Sequence, residues 1–300
     1  MNMHKIFIAD SRLMSEVPAE SVHLIVTSPP SWQSKVDESA LRKTFSGTYE
    51  EYINNLNLVW MECRRVLYGG CRLCVNIADQ VARIASFGRY KVIPVRTEII
   101  RFCETIGFDY MGAVIWQKTK PGNTIGSATM IGSYLYPRNG VVKIDYEFVL
   151  IFKKPGNSPL VGKEQKEQSR LSAEEWNEYF SGHWKFPGEK HSKYLPMFTE
   201  ELPGRLIRMF SFVGETVLDP FLGSGTTSLA AKRLQRNSIG YEINESLFPV
   251  IRKKLGAEQT DIFSEDIVDT VKPVRDAIDF QQERQKMPYI FCDPPGNQIS

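Results

Sequence analysis

Histidine and cysteine are scarce in this chain, at four and five of 300 residues. That leaves little material for a catalytic set built on imidazole or thiolate. An odd number of thiols without regular spacing also argues against a disulfide framework, so these read as structural thiols. The only close pair, Cys71 and Cys74, sits in an apparent strand over residues 71–77. Residues three apart on a strand point to opposite faces, so the pair does not share a metal, and none is expected. No apolar run approaches the ~20 residues that span a bilayer, and no charged-then-apolar leader opens the chain. The expectation is a cytoplasmic, reduced protein with no membrane partner. Charge is nearly balanced, at +2 with a pI of about 8.2, which hints only weakly at an anionic partner. Internal repeats and a GxGxxG dinucleotide fingerprint are both absent.

What is present centres on residues 216–227, TVLDPFLGSGTT. A short β-run leads into Asp219-Pro220, turns through Gly223-Ser224-Gly225 and enters a helix-like stretch at Thr226-Thr227. A strand, a tight glycine turn and a helix N-terminus together form a site for a nucleotide-like ligand. Glycine lets the backbone approach closely, and the helix start offers unpaired N–H groups. An acid at the strand end would repel a pyrophosphate, so a cationic or hydroxyl-rich ligand fits better than a dinucleotide. Glu242 ends the next apparent strand, nineteen positions after Gly223. An acid about 20 residues beyond such a turn is placed to accept both hydroxyls of a ribose.

Earlier in the chain, residues 6–11 form a short apolar run reaching Asp10, and residues 23–27 form a second buried strand. The second runs into Ser28-Pro29-Pro30-Ser31-Trp32. Two prolines end the ladder and hold the backbone extended, leaving carbonyl oxygens without competing N–H groups. In an open parallel sheet that end is where ligands bind. A helical period follows over 49–67, closed by Gly69-Gly70, with a strand at 72–77, a helix at 92–106 and strands at 110–117 and 146–153. Residues 33–48 and 121–140 read as loops. Basic residues cluster between Arg83 and Arg101 and again between Lys118 and Lys154, suggesting a basic face. Composition changes near 155. Ser172 and Glu175 form a capping-box pattern, and His183-Trp184-Lys185-Phe186 mixes aromatic and basic residues. The tail from 256 shows no clear sheet pattern, although it ends near a second Pro-Pro at 294–295.

Taken together, these stretches resemble the β-type amino-methylating DNA methyltransferases that use S-adenosylmethionine. The FxGxG cofactor motif corresponds to Phe221-Leu222-Gly223-Ser224-Gly225, and the [DNS]-P-P-[YFW] catalytic motif to Ser28-Pro29-Pro30-Ser31. The catalytic motif comes first, as in the β-type. The resemblance implies an α/β fold: a circularly permuted Rossmann-like methyltransferase sheet, helices on both faces and an inserted recognition region. Strands at 216–219 and 238–242 would lie beside the one at 6–10. The methyltransferase domain would comprise 1–154 and 193–256, interrupted by a DNA-recognition insertion at 155–192 and followed by a tail at 257–300. By resemblance Asp219, Glu242 and Asp10 face the methionine amino group, the ribose hydroxyls and the adenine. Pro220, Ser224, Thr226 and Thr227 complete the cofactor site, and Phe198 packs against the cofactor.

Catalysis in this family rests on positioning. An exocyclic amine is a poor nucleophile because its lone pair is delocalised into the ring. Hydrogen bonds from the amine to the Ser28 hydroxyl and the Pro29 carbonyl favour a tetrahedral nitrogen. The base must first leave the duplex. Serine at the first motif position points to cytosine N4 in double-stranded DNA, with adenine N6 as the alternative. Ser31 stands where the family has an aromatic that stacks on the base, a contact worth ~1–3 kcal/mol. A weakened DNA-binding relative is therefore a competing reading, with Trp32 the only nearby replacement. A nucleotide-dependent oxidoreductase is a third, disfavoured by Asp219. A cognate restriction endonuclease is a partner that the family suggests.

Overall fold

In the computed structural model, the described residues are 2–32, 47–82, 91–119, 138, 142, 144–188, 199–256, 266–275 and 278–293. The first two apolar runs form β1 (Met3–Ile8) and β2 (Val22–Thr27). Helix α1 (Tyr49–Val66) starts on a capping box. The Thr48 hydroxyl accepts from the Glu51 amide, and the Glu51 carboxylate accepts from the Thr48 amide. Its apolar face buries Tyr52, Ile53, Leu56, Val59, Trp60 and Cys63. The helix passes directly into β3 (Leu67–Ile77), so Gly69 and Gly70 are not its stop but lie inside the strand. Gly70, at φ +76°, meets Ser158 where any Cβ would overlap it, and that close approach is what requires glycine. A small hairpin of β4 (Gln80–Ala82) and β5 (Lys91–Ile93) precedes α2 (Val95–Thr105). The helix expected from residue 92 therefore begins after Pro94.

Two long strands follow, β6 (Asp109–Thr119) and β7 (Tyr146–Lys153), then short helices α3 (Lys163–Gln168) and α4 (Ala173–Tyr179), and β8 (His183–Pro187). The last part holds α5 (Glu201–Phe210), β9 (Thr216–Asp219), α6 (Thr226–Arg233), β10 (Asn237–Glu242), α7 (Phe248–Lys254), β11 (Ile267–Val271) and α8 (Phe280–Gln285). Nine strands make one sheet in the order β11-β1-β10-β9-β2-β3-β7-β6-β8. Every pairing is parallel except the two made by β7. The C-terminal β9 and β10 slot between the N-terminal β1 and β2, which is the permuted sheet that the motif order implied.

Helices cover both faces because strand side chains alternate. On β2, Val22 and Ile25 face the core formed with α1 and α2, whereas Leu24 and Val26 face α5 and α6. Cys71 and Cys74 split between the same two faces. Fully burying large side chains such as Trp60, Trp116 and Trp184 contributes about 2–3 kcal/mol each.

Two regions differ from the sequence-based expectation. The tail is part of the fold: β11 extends the sheet beside β1, and Met287 and Phe291 join the α1 core. Asn54 donates to the Phe291 carbonyl and accepts from the Phe291 amide, both at 2.9 Å, so the tail is held from α1. The 155–192 region is not a single excursion beside the active edge. The Gln165 amide donates to the Val213 carbonyl and the Val213 amide to Ser169 Oγ. Val213 precedes β9, so α3 lies at the amino ends of the parallel strands. Helix α4 then packs along α5, with Glu175 paired to Arg208 and Glu178 to Arg205. Only β8 runs on to the carboxyl edge. The basic residues do not share one face either. Lys154 is buried near the start of β3, donating to the Leu67 carbonyl, whereas Lys118 is near the opposite end of β6.

Candidate functional site

Asp10, Glu242, Asp219 and Ser28 end or follow the four adjacent strands β1, β10, β9 and β2, so the sheet brings the distant motifs to one edge. A cleft there is lined by Ala9, Asp10, Ser11, Pro220, Phe221, Tyr241, Glu242 and Ile243. The glycine turn that shapes it needs left-handed backbone at Gly225, φ +85°, where the chain enters α6. The α6 start places the amides of its first turn, with the Thr226 and Thr227 side chains, at the same edge. Lys254 reaches over from α7 and donates to Ser224 Oγ at 2.9 Å and Thr226 Oγ1 at 3.0 Å.

Glu242 is buried at the end of β10. One carboxylate oxygen accepts from the Gly223 amide at 2.9 Å and the other from the Asn244 amide at 2.7 Å. Burial pushes its carboxyl up to about 7, the two amides oppose that shift, and the charge of Asp219 adds to it. Each oxygen keeps a second lone pair for a hydroxyl donor. The Asp10 carboxylate is gripped by the forked guanidinium of Arg12, with contacts of 2.7–3.1 Å. Arg12 in turn lies 3.5 Å above the Phe280 ring and donates to Asn55. Asp10 thus reaches the cleft with its charge compensated.

Asp219 differs from the expected orientation toward the methionine amino group. Its carboxylate is 1% exposed and is enclosed by three donors. Thr27 Oγ1 donates at 2.7 Å, Thr227 Oγ1 at 2.6 Å and the Phe221 amide at 3.0 Å. Burial raises its carboxyl to about 6 against these hydrogen bonds. The side chain therefore ties the last residue of β2 to the start of α6 across the strand between them.

Pro29 is buried, Ser28 and Pro30 are half-buried, and Ser31 is exposed. The Tyr52 hydroxyl donates to the Pro30 carbonyl at 2.9 Å. Trp32 turns toward α1: its indole N–H donates to the Gly47 carbonyl and its ring packs 5.2 Å from that of Tyr49. Phe198, and the second Pro-Pro at 294–295, lie outside the described residues. Sequence reasoning missed Thr27, Arg12, Tyr52, Asn54 and Asn55. The helical period shows only that Tyr52 is buried, and nothing local marks its partner.

The donor set fits S-adenosylmethionine. Acceptor oxygens of Glu242 suit ribose hydroxyls, the walls around Phe221, Ile243 and Pro220 suit a flat purine, and the α6 start suits a carboxylate.

The DNA methylase family matches residues 22–253 of the chain. The Type II methyltransferase M.MjaI of Methanocaldococcus jannaschii is 38% identical over 285 residues, covering 85% of this chain and 92% of that protein. M.MthZI of Methanothermobacter thermautotrophicus is 30% identical, covering 94% and 83%. Among solved structures, a DNA modification methylase of Thermus thermophilus, TTHA0409, complexed with S-adenosyl-L-methionine, superposes with a TM-score of 0.73 at 33% identity. That alignment covers 91% of this chain and all of the other. PvuII DNA methyltransferase, at 20% identity and a TM-score of 0.57, shares the fold. The chain belongs to the N6/N4 DNA methylase family, whose methyl donor is S-adenosylmethionine.

Proposed function

We propose that this chain is a site-specific Type II methyltransferase that modifies the N4 amine of a cytosine flipped out of duplex DNA. The observation that supports it best is the junction of the two motifs. Thr27, immediately before Ser28, donates to Asp219, which leads into the glycine turn, at 2.7 Å. The catalytic loop and the cofactor turn are thereby fixed to each other within one hydrogen bond. When bound, the cofactor supplies an electrophilic methyl group on a sulfonium. The chain's own residues position the nucleophile. The Ser28 hydroxyl and the Pro29 carbonyl accept the two amine hydrogens, drawing the nitrogen toward a tetrahedral shape with its lone pair directed at the cleft. Glu242 accepts from the ribose hydroxyls, and Pro220, Phe221 and Ile243 flank the adenine. Serine at the first position supports cytosine over adenine N6. Ser31 leaves that position without a ring, and Trp32 is drawn away toward Tyr49, which favours a modest turnover.

The α3 and α4 part of the 155–192 segment sits away from this edge. Within the described residues of that segment, DNA contact is assigned to the exposed face of β8, where His183, Lys185 and Pro187 point outward. A restriction endonuclease of the same sequence specificity is the expected companion activity. The test is transfer from labelled S-adenosylmethionine to mixed-sequence duplex DNA, followed by digestion to nucleosides. Label in N4-methylcytosine supports the reading, and label in N6-methyladenine replaces cytosine with adenine. Absence of label in any base, despite cofactor binding, overturns DNA methylation altogether.

A further inference from the structure

We propose that Tyr52 is the positioning residue of the catalytic loop, a proposal that rests on the methyltransferase reading above. The argument starts from what the loop lacks. Pro29 and Pro30 have no N–H, so the Ser28–Trp32 stretch has little means of fixing its own carbonyls, and their directions must be set from outside. Tyr52 does this. Its hydroxyl donates to the Pro30 carbonyl at 2.9 Å and is faced by the Trp32 backbone N–H. One oxygen therefore holds both ends of the Pro30-Ser31-Trp32 turn.

The clamp is itself rigid. Tyr52 is fully buried in the first turns of α1, directly after the Thr48–Glu51 capping box. Its ring stacks on Tyr49, with centroids 6.3 Å apart, and Tyr49 packs against both Trp32 and Phe291. Two residues further on, Asn54 holds the Phe291 backbone, and Asn55 accepts from both Arg12 and Arg284. The opening turns of α1 thus bind the catalytic loop, the loop after β1 and the tail. A buried phenol needs some acceptor, and any carbonyl of the core would satisfy it. This one is satisfied by the peptide adjoining the Pro29 carbonyl that accepts the amine. Misplacing a reacting group by about 1 Å costs on the order of a hundredfold in rate, which sets the scale of the effect.

The experiment uses the full chain and compares Tyr52→Phe with Val66→Ala. Val66 is a fully buried residue at the opposite end of α1, remote from the loop, and its truncation destabilises the same helix. Tyr52→Phe keeps the ring and its packing. The expected result is a fall of about ten- to a hundredfold in single-turnover methyl transfer. Cofactor Kd and KM for DNA stay within about twofold, and base flipping, followed by 2-aminopurine fluorescence, persists. Val66→Ala lowers Tm but transfers at the parental rate. A Tyr52→Phe protein that transfers normally overturns the proposal. So does one whose rate loss is matched by Val66→Ala at equal Tm, because the effect would then be structural. A parent protein that methylates no base overturns the functional reading and this proposal together, whereas a normal parent with a normal Tyr52→Phe overturns only the latter.

Discussion

Glu242 gives the sharpest test of the cofactor site, because one buried group sets opposite pH trends for binding and stability. Its folded carboxyl lies near 7, against an ordinary 4.5, with burial the main cause. A ribose donating two hydroxyls favours the ionised form, so ligand binding below pH 7 must expel a proton. The apparent affinity then falls by the factor 1 + 10^(7 − pH), which is about elevenfold at pH 6 and about 1.1-fold at pH 8. The difference is roughly tenfold, or about 1.4 kcal/mol. Calorimetry with 5′-methylthioadenosine, which keeps the nucleoside but lacks the methionine amine, removes the ligand's own titration. Buffers of different ionisation enthalpy would show close to one proton released near pH 6 and almost none near pH 8. Stability of the unliganded protein runs the other way. Between about 4.5 and 7 the folded state holds the proton that the unfolded state has lost, so this contribution falls as pH rises through that window. Glu242→Gln should flatten both trends. Asp219, whose carboxyl lies near 6, is the charged neighbour, and its response is retained in the Gln variant and subtracts out. A wild-type Kd that changes less than twofold from pH 6 to 8, or an unchanged slope in Glu242→Gln, would refute the assignment of Glu242 to the ribose.

Ser28→Ala removes one acceptor for the amine and should lower single-turnover transfer by about ten- to a hundredfold with cofactor Kd unchanged, since such acceptors contribute mainly in the transition state. Ser31→Tyr restores a ring beside the flipped base, and a gain of about tenfold in transfer is expected from ~1–3 kcal/mol of stacking; a loss would mean that Trp32 or another group already occupies that space. Asn54→Ala leaves the Phe291 amide and carbonyl without their partner, which should cost ~2 kcal/mol in denaturant unfolding and increase proteolysis within the tail. Thiol titration of the native protein near pH 8 should find Cys292 reacting first, because it alone among the cysteines is exposed. Burial holds Cys71 up at about 11 and Cys74 at about 12, and Cys63 and Cys103 well above the ordinary thiol range, so rapid labelling of more than one thiol would contradict this core.

The sequence by itself determined the strands at 3–8, 22–27 and 216–219, the glycine turn at 223–225, the capped helices at 49 and 173, and the order of the two motifs. Each is written in a short stretch: an apolar run, a residue that tolerates left-handed backbone, a hydroxyl three positions before a glutamate. The motif order extended this to topology, because β9 and β10 could reach β1 only by closing a permuted sheet. Tertiary structure decided what joins residues far apart in the chain. Thr27 and Asp219 are 192 positions apart, and Asn54 and Phe291 are 237 apart. No local pattern records such a pairing. For the same reason, Asp219 could be read as a strand-end acid but not as one enclosed by three donors. The tail offered no pattern because β11 alternates only half-buried with exposed residues, as an edge strand does. The 155–192 region was recognisable by its composition. Its path from the amino ends of the strands along α5 to β8 depends on contacts with Val213, Arg205 and Arg208, which only the folded sheet brings within reach.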